Sequence, residues 1–256
     1  MKVVILAGGM GSRLSEETSV RPKPLVEVGG RPILWHIMKV YSHYGYNDFI
    51  ICLGYKGYMI KDYFAGYRIH NSDISVELGN DNIQYINNHS EPWRVTLIDT
   101  GEDSGTGGRL KKVIPLVADD PEFFMTYGDG IADININALY DFHKSHKTLA
   151  TVSAVRPIPR FGIMHLDNER VSAFEEKPHS DQDWVSGGFF VLSPKVGDMI
   201  DGDSTYWEQE PIRALVDDKQ LNAYRHDGFW RPMDTLSDKK LLESMWNSGN
   251  PPWKVW

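Results

Sequence analysis

Four consecutive apolar residues, Val3-Val4-Ile5-Leu6, run directly into Ala7-Gly8-Gly9-Met10-Gly11-Ser12-Arg13-Leu14, and this junction constrains the chain more than any other stretch. The apolar run is too short to span a membrane and reads as a strand buried on both faces of a parallel sheet. The loop therefore leaves the end of a core strand. Gly8, Gly9 and Gly11 let the backbone turn tightly and approach a ligand, with N–H groups that can converge on an anion. Arg13 adds a forked cation suited to phosphate oxygens. Lys23 stands between Pro22 and Pro24, whose restraints predict a stiff, extended support for its ammonium. These features predict a phosphate-binding loop. Two better-known loops do not match: the dinucleotide fingerprint would need a glycine where Leu14 stands, and no Gly-Lys-Ser/Thr occurs.

At 256 residues with 41% hydrophobic content, the chain has enough material for one large α/β core. Its formal charge of −8 argues against sequence-independent binding to nucleic acid or to an anionic membrane, so phosphates must be met by a few local cations. Cys52 is the only cysteine, which excludes an intrachain disulfide and points to a reducing, cytoplasmic setting. Lys2 and the apolar residues after it end at Gly8-Gly9, too early for a secretion signal.

Helical spacing over Pro32 to Tyr44, followed by the apolar run Phe49 to Leu53, predicts a βαβ unit with the Gly-rich loop at the carboxyl edge of the sheet, where ligands bind. A further helix is expected over Lys56 to Tyr67, and residues 70 to 98 read as an excursion with short strands at Ile74 to Leu78 and Val95 to Ile98. A second Gly-rich loop, Asp99 to Leu110, is expected either to grip a base or phosphates through open N–H groups and Arg109, or to be a flexible connection. The strand Phe123 to Tyr127 ends in Gly128-Asp129-Gly130, where a carboxylate could hold a divalent cation or close an Asx turn. Lys177 precedes Pro178 and is expected to be held extended, with Glu176 beside it able to accept hydrogen bonds from sugar hydroxyls, while a charged strand end would look the same. Gly187 and Gly188 interrupt the strand Trp184 to Leu192, which marks close approach of a ligand or another backbone. Asp234 is a second candidate metal carboxylate, or a cap for a helix over Asp238 to Trp246. His143 and His146 read as surface or capping histidines, and the tail's Trp253 and Trp256 as docking on the body or on a neighbouring subunit.

In order and completeness, these segments resemble the sugar-1-phosphate nucleotidylyltransferases: the loop Leu6 to Leu14, Arg21 to Pro24, Gly-Tyr-Lys-Gly-Tyr at 54 to 58, Tyr-Gly-Asp-Gly at 127 to 130, Glu-Lys-Pro at 176 to 178 and Pro-Met-Asp-Thr at 232 to 235. The resemblance implies an α/β fold with a Rossmann-like, mixed but mostly parallel sheet and helices on both faces. It implies one domain over 1–256, with a nucleotide half to about residue 130, a sugar half to about 235, and a C-terminal helix and tail. It further implies that Leu6, Ala7, Gly8, Gly9, Met10, Gly11, Ser12, Arg13, Lys23, Ser104, Arg109 and Gly128 bind the nucleotide, with Arg13, Lys23 and Asp129 catalytic. Asp129 and Asp234 would hold Mg2+, and Glu176, Lys177 and Gly188 the sugar phosphate. Ser12 stands where Thr is common in that family, which keeps the hydroxyl, and Arg21 preserves a charge. The implied substrates are CTP and glucose 1-phosphate, giving a CDP-sugar for deoxyhexose and O-antigen assembly, with dTTP or UTP as alternative nucleotides. The implied assembly is a homo-oligomer, a hexamer by resemblance, binding neither nucleic acid nor membrane. A non-catalytic nucleotide-sugar sensor or regulatory subunit is the reading from another functional class.

Overall fold

The computed structural model describes residues 1–80, 82–156, 163–175 and 183–256. Its centre is a seven-stranded sheet built from β1 (Val3–Leu6), β2 (Asp48–Leu53), β3 (Arg94–Asp99), β4 (Phe123–Tyr127), β5 (Ala150–Val155), β6 (Val185–Leu192) and β7 (Leu221–His226), in the order β7-β5-β6-β4-β1-β2-β3. Neighbours are parallel except where β6 pairs antiparallel with β4 and β5. The sheet is thus mixed and mostly parallel, as expected.

Each strand of such a sheet must be apolar on both faces, because helices cover both. β1 shows this directly: Val3 and Ile5 enter one buried cluster, with α1 (Ile33–His43) and Trp253, while Val4 and Leu6 enter the other, with α3 (Thr106–Val117). Between α1 and α3 in the chain lies α2 (Gly57–Ala65), and α4 (Ile136–His146), α5 (Glu210–Asp217) and α6 (Leu236–Asn247) follow. The excursion after α2 is a hairpin, Asp73–Glu77 with Asn82–Ile86, and a second hairpin pairs Ile163–Asp167 with Arg170–Glu175. No helix among the described residues is long and apolar enough to cross a membrane.

One expectation is corrected here, and one pair of alternatives is decided. Lys23 is not extended: it opens a short 3-10 turn, Lys23–Leu25, flanked by extended backbone at Pro22 and Val26. The tail docks on the chain's own body. Trp253 is fully buried and its indole N–H donates to His36 Nδ1 (3.3 Å), in a nest that also holds Trp246. Trp253 is therefore unavailable to a neighbouring subunit.

Candidate active site

Parallel β1, β2 and β4 end at one edge of the sheet, and the loops that leave them meet there. Ala7 N–H donates to Cys52 O (3.0 Å), Tyr55 N–H to Gly8 O (3.0 Å) and Gly128 N–H to Leu6 O (3.0 Å), so the three strand ends are stitched together. Gly11 has a φ of +63°, and a Cβ there would lie 2.9 Å from the Thr18 methyl and 3.1 Å from Lys23 Cβ. Glycine is needed both for the left-handed turn and for the loop to wrap over Lys23. The result is a cleft of about 440 Å³ lined by Leu6 to Arg13, Lys23, Ser104, Arg109, Gly128 and Asp129. All the residues expected at the nucleotide therefore face one cavity.

Asp234 arrives from far along the chain. Gly130–Ala132 pairs antiparallel with Trp230–Pro232, and Met233 N–H donates to Asp129 O (2.8 Å), which sets Asp234 beside Asp129. The helix that follows is capped by Thr235 in a capping box with Asp238, not by Asp234. Its carboxylate is thus left for other partners: Lys23 Nζ donates to Asp234 Oδ1 (2.8 Å) and Asp129 Oδ2 (2.7 Å), and Arg13 Nη1 to Asp234 Oδ2 (3.0 Å). Burial opposes the charge on Lys23, but Asp129 and Asp234 more than offset it and hold the ammonium's pKa above its ordinary value.

The ammonium thus occupies a point on which two carboxylates converge. That donor pair fits a divalent ion of the Mg2+ type, which commonly takes one or two carboxylates and fills its shell with water and substrate phosphate. No group of three or more His, Cys, Asp or Glu positioned for a metal occurs among the described residues, so the protein's share would be the two carboxylates. His143 is instead buried against Thr151 Oγ1 (2.9 Å), and His146 Nδ1 lies 2.8 Å from Phe142 O.

The second Gly-rich loop differs from expectation. Two of its glycine N–H groups are not open, since Gly105 N–H donates to Asp203 O (2.8 Å) and Gly108 N–H to Thr205 O (3.1 Å). A Cβ on Gly105, Gly107 or Gly108 would meet the backbone of residues 203–205 at 2.0 to 2.9 Å, so these glycines exist for close packing with that segment. Arg109 is 4% exposed, and its guanidinium donates to Leu53 O (3.1 Å), Thr100 Oγ1 (2.9 Å), Gly101 O (2.5 Å) and Glu102 O (2.9 Å). It fills the space over Gly8 and Gly54 and ties the second loop to the first. Ser104 Oγ is similarly engaged, with Thr100 O and with Asp203 Oδ1 at 2.9 Å.

Gly188 is not among the residues lining the cleft. Its φ is +79° and the Tyr127 ring lies 2.8 Å from where a Cβ would be, so the close approach inferred for this glycine is made by Tyr127. Glu176 and Lys177 lie outside the described residues. Sequence reasoning missed Thr106 and Tyr206 on the cleft wall. Thr106 had a signal, since glycines at 105, 107 and 108 around the first turn of a helix mark a segment packed tightly against it; Tyr206 had none.

Comparison with known proteins accords with this geometry. A family model described as Nucleotidyl transferase matches residues 2–243. The chain is 55% identical to a glucose-1-phosphate cytidylyltransferase of Salmonella typhi, covering 100% of both chains. It is 42% identical to a probable glucose-1-phosphate cytidylyltransferase of Bacillus subtilis, again covering 100% of both. Among solved structures, HddC from Yersinia pseudotuberculosis superposes with a TM-score of 0.68 at 22% identity, covering 96% of this chain and 99% of that one, a likeness of fold.

Proposed function

The chain belongs to the nucleotidyl transferase family, and from that premise we propose that it transfers the cytidylyl group of CTP to α-D-glucose 1-phosphate, giving CDP-glucose and pyrophosphate. The observation that carries the reading is the convergence of Lys23, Arg13, Asp129 and Asp234 at the mouth of the Gly8–Arg13 loop. The full-length relatives that share this chain's length carry the same activity in their names, which supports the choice of cytidine and glucose.

A sugar-phosphate oxygen forms the new bond to the α-phosphorus, and the α–β bridging bond breaks as pyrophosphate leaves. A phosphate dianion is already a nucleophile, so the protein's work is alignment and charge stabilisation. The N–H groups of the Gly-rich loop receive the triphosphate, and Gly11 allows that loop to lie on Lys23. Arg13 and Lys23 stabilise the charge that grows on the α-phosphoryl group and on the departing pyrophosphate. Arg109 packs against Gly8 of that loop while its guanidinium is hydrogen-bonded to Leu53, Thr100, Gly101 and Glu102, so it braces the strand ends beside the nucleotide. Glu176, Lys177 and Gly188 keep the sugar roles that the family resemblance implies.

Asp129 and Asp234 are the residues to hold Mg2+, which when bound supplies positive charge to the phosphates. Lys23 pairs with both carboxylates and Arg13 with Asp234. A metal on the carboxylates would leave those cations for the phosphates, so the site is suited to nucleotide and Mg2+ together.

The homo-oligomer implied by resemblance has one structural support. The hairpin Asp73–Glu77 with Asn82–Ile86 exposes Ile74, Val76, Ile83 and Ile86 on a two-stranded ribbon, an element of marginal stability unless it packs on something.

The direct test is incubation with glucose 1-phosphate, Mg2+ and each of CTP, UTP and dTTP, reading pyrophosphate release and product mass. CDP-glucose formed fastest from CTP is expected. Faster turnover of another nucleotide would replace cytidine in this reading, and no turnover of any of them would leave the sensor.

A further inference from the structure

Residues 203–208 cross the start of α3 as a strap, tied at both ends. At one end Asp203 O accepts from Gly105 N–H, and the Asp203 carboxylate pairs with Lys112 Nζ at 2.5 Å. In the middle Trp207 is fully buried, its ring edge-on to Phe190, and its backbone N–H donates to Thr106 Oγ1 (2.9 Å). At the other end stands Glu208, exposed and outside the cleft lining. Thr106 Oγ1 donates to Glu208 Oε2 at 2.6 Å, and the Tyr127 hydroxyl donates to Glu208 Oε1.

Thr106 and Tyr127 both line the cleft. Tyr127 ends β4 two residues before Asp129, and its ring fills the space above Gly188. Tyr127 is half-buried, and a phenol so placed favours a fixed acceptor for its hydroxyl. The Tyr127 hydroxyl and Thr106 Oγ1 thus share one carboxylate, each donating to a different oxygen of Glu208.

We propose that Glu208 is a positioning residue for the transfer: one carboxylate holds Tyr127 and Thr106 together from behind, and so fixes the wall between Asp129 and Gly188 against which the sugar 1-phosphate lies. The inference rests on the functional reading above and adds to it a residue that touches neither substrate. The Tyr127 ring abuts Gly188, the glycine the resemblance gives to the sugar, and neither Tyr127 nor Thr106 belongs to the Gly8–Arg13 loop, so the effect falls on placement of the sugar 1-phosphate. A shared bond also implies that the two side chains are not independent.

The test is a double-mutant cycle of Glu208→Ala and Tyr127→Phe in the full chain, with steady-state kinetics in both substrates. Each single change is expected to lower kcat/KM for glucose 1-phosphate by about tenfold, with KM for CTP within about twofold of the parent. The double variant is expected to be no worse than the poorer single one. Where Glu208→Ala does not fold, Glu208→Gln, which keeps one acceptor oxygen, enters the same cycle with a loss of about threefold expected. A merely structural strap would lower Tm and the yield of active protein without separating the two KM values. The proposal is overturned if Tyr127→Phe retains the parent's kcat/KM, if the losses multiply in the double variant, or if KM for CTP takes the larger change. An active parent with any of these outcomes overturns Glu208 alone. A parent inactive on all three nucleotides overturns the functional reading, and this proposal with it.

Discussion

Lys23 does two things that pull against each other. Its ammonium pairs with both Asp129 and Asp234, and the proposed chemistry needs that same ammonium on the phosphates. Removing it should therefore change two measurements in opposite directions. Lys23→Ala is expected to lower kcat by roughly 10²- to 10³-fold, the usual effect of losing one donor to transition-state charge. Activity within a factor of two of the parent would discard the role. The same variant removes the cation that Asp129 and Asp234 share, leaving Arg13 on Asp234, so affinity for Mn2+ in the absence of added nucleotide, read by EPR, should rise by about tenfold or more. Equal Mn2+ affinity in parent and variant would show that the ammonium does not stand in for the metal.

At the scale of elements, two contacts decide how the site is framed. The start of α3 is pressed so closely on residues 203–205 that a Cβ on Gly108 would lie 2.0 Å from Asp203 O. Helix propensity alone favours Gly108→Ala by about 1 kcal/mol. Overpacking against backbone costs about 1–3 kcal/mol and should win, seen as a fall in Tm; a rise in Tm would mean that the strap yields easily. The other contact joins the tail to α1. His36 is fully buried, with Nε2–H donating to Val28 O (2.8 Å) and Nδ1 accepting from Trp253, and burial lowers its pKa to about 4. The folded value lies below the unfolded 6.5, so this contribution is intact above pH 6.5 and is lost as pH falls toward 4. The loss amounts to ~3 kcal/mol when complete. Urea midpoints should show the parent's advantage over His36→Gln shrinking between pH 7 and pH 4.5. A gap independent of pH would contradict the neutral, buried imidazole.

The whole molecule shows which parts of this arrangement a sequence can disclose. Val3 to Leu6 and the glycines after it announced the strand end and the cleft, because an apolar run and a left-handed turn are local demands. Asp129 and Asp234 were visible only as candidates, since their meeting depends on pairing Gly130–Ala132 with Trp230–Pro232 across the chain. The second Gly-rich loop was misread as open for the same reason: what fills it comes from residues 203–205, and glycines that admit a ligand look like glycines that admit a backbone. Exposed surface follows the same logic, and light scattering should separate its two candidates. Ile74→Glu with Ile83→Glu is expected to lower the mass of the assembly, whereas truncation at Gly249 should leave the mass unchanged while lowering Tm, because Trp253 is buried in its own chain. A mass that falls only on truncation would move the interface to the tail.

The central claim is that one triphosphate lies between the Gly8–Arg13 loop and the two carboxylates, with Lys23 drawn from them to the phosphates. A crystal structure of the chain with a non-hydrolysable CTP analogue and Mg2+ tests this directly. The account predicts a triphosphate on the loop N–H groups, the metal on Asp129 and Asp234, and Lys23 Nζ on a phosphate oxygen. A triphosphate elsewhere on the molecule, or Lys23 still bridging both carboxylates with the nucleotide bound, would contradict it.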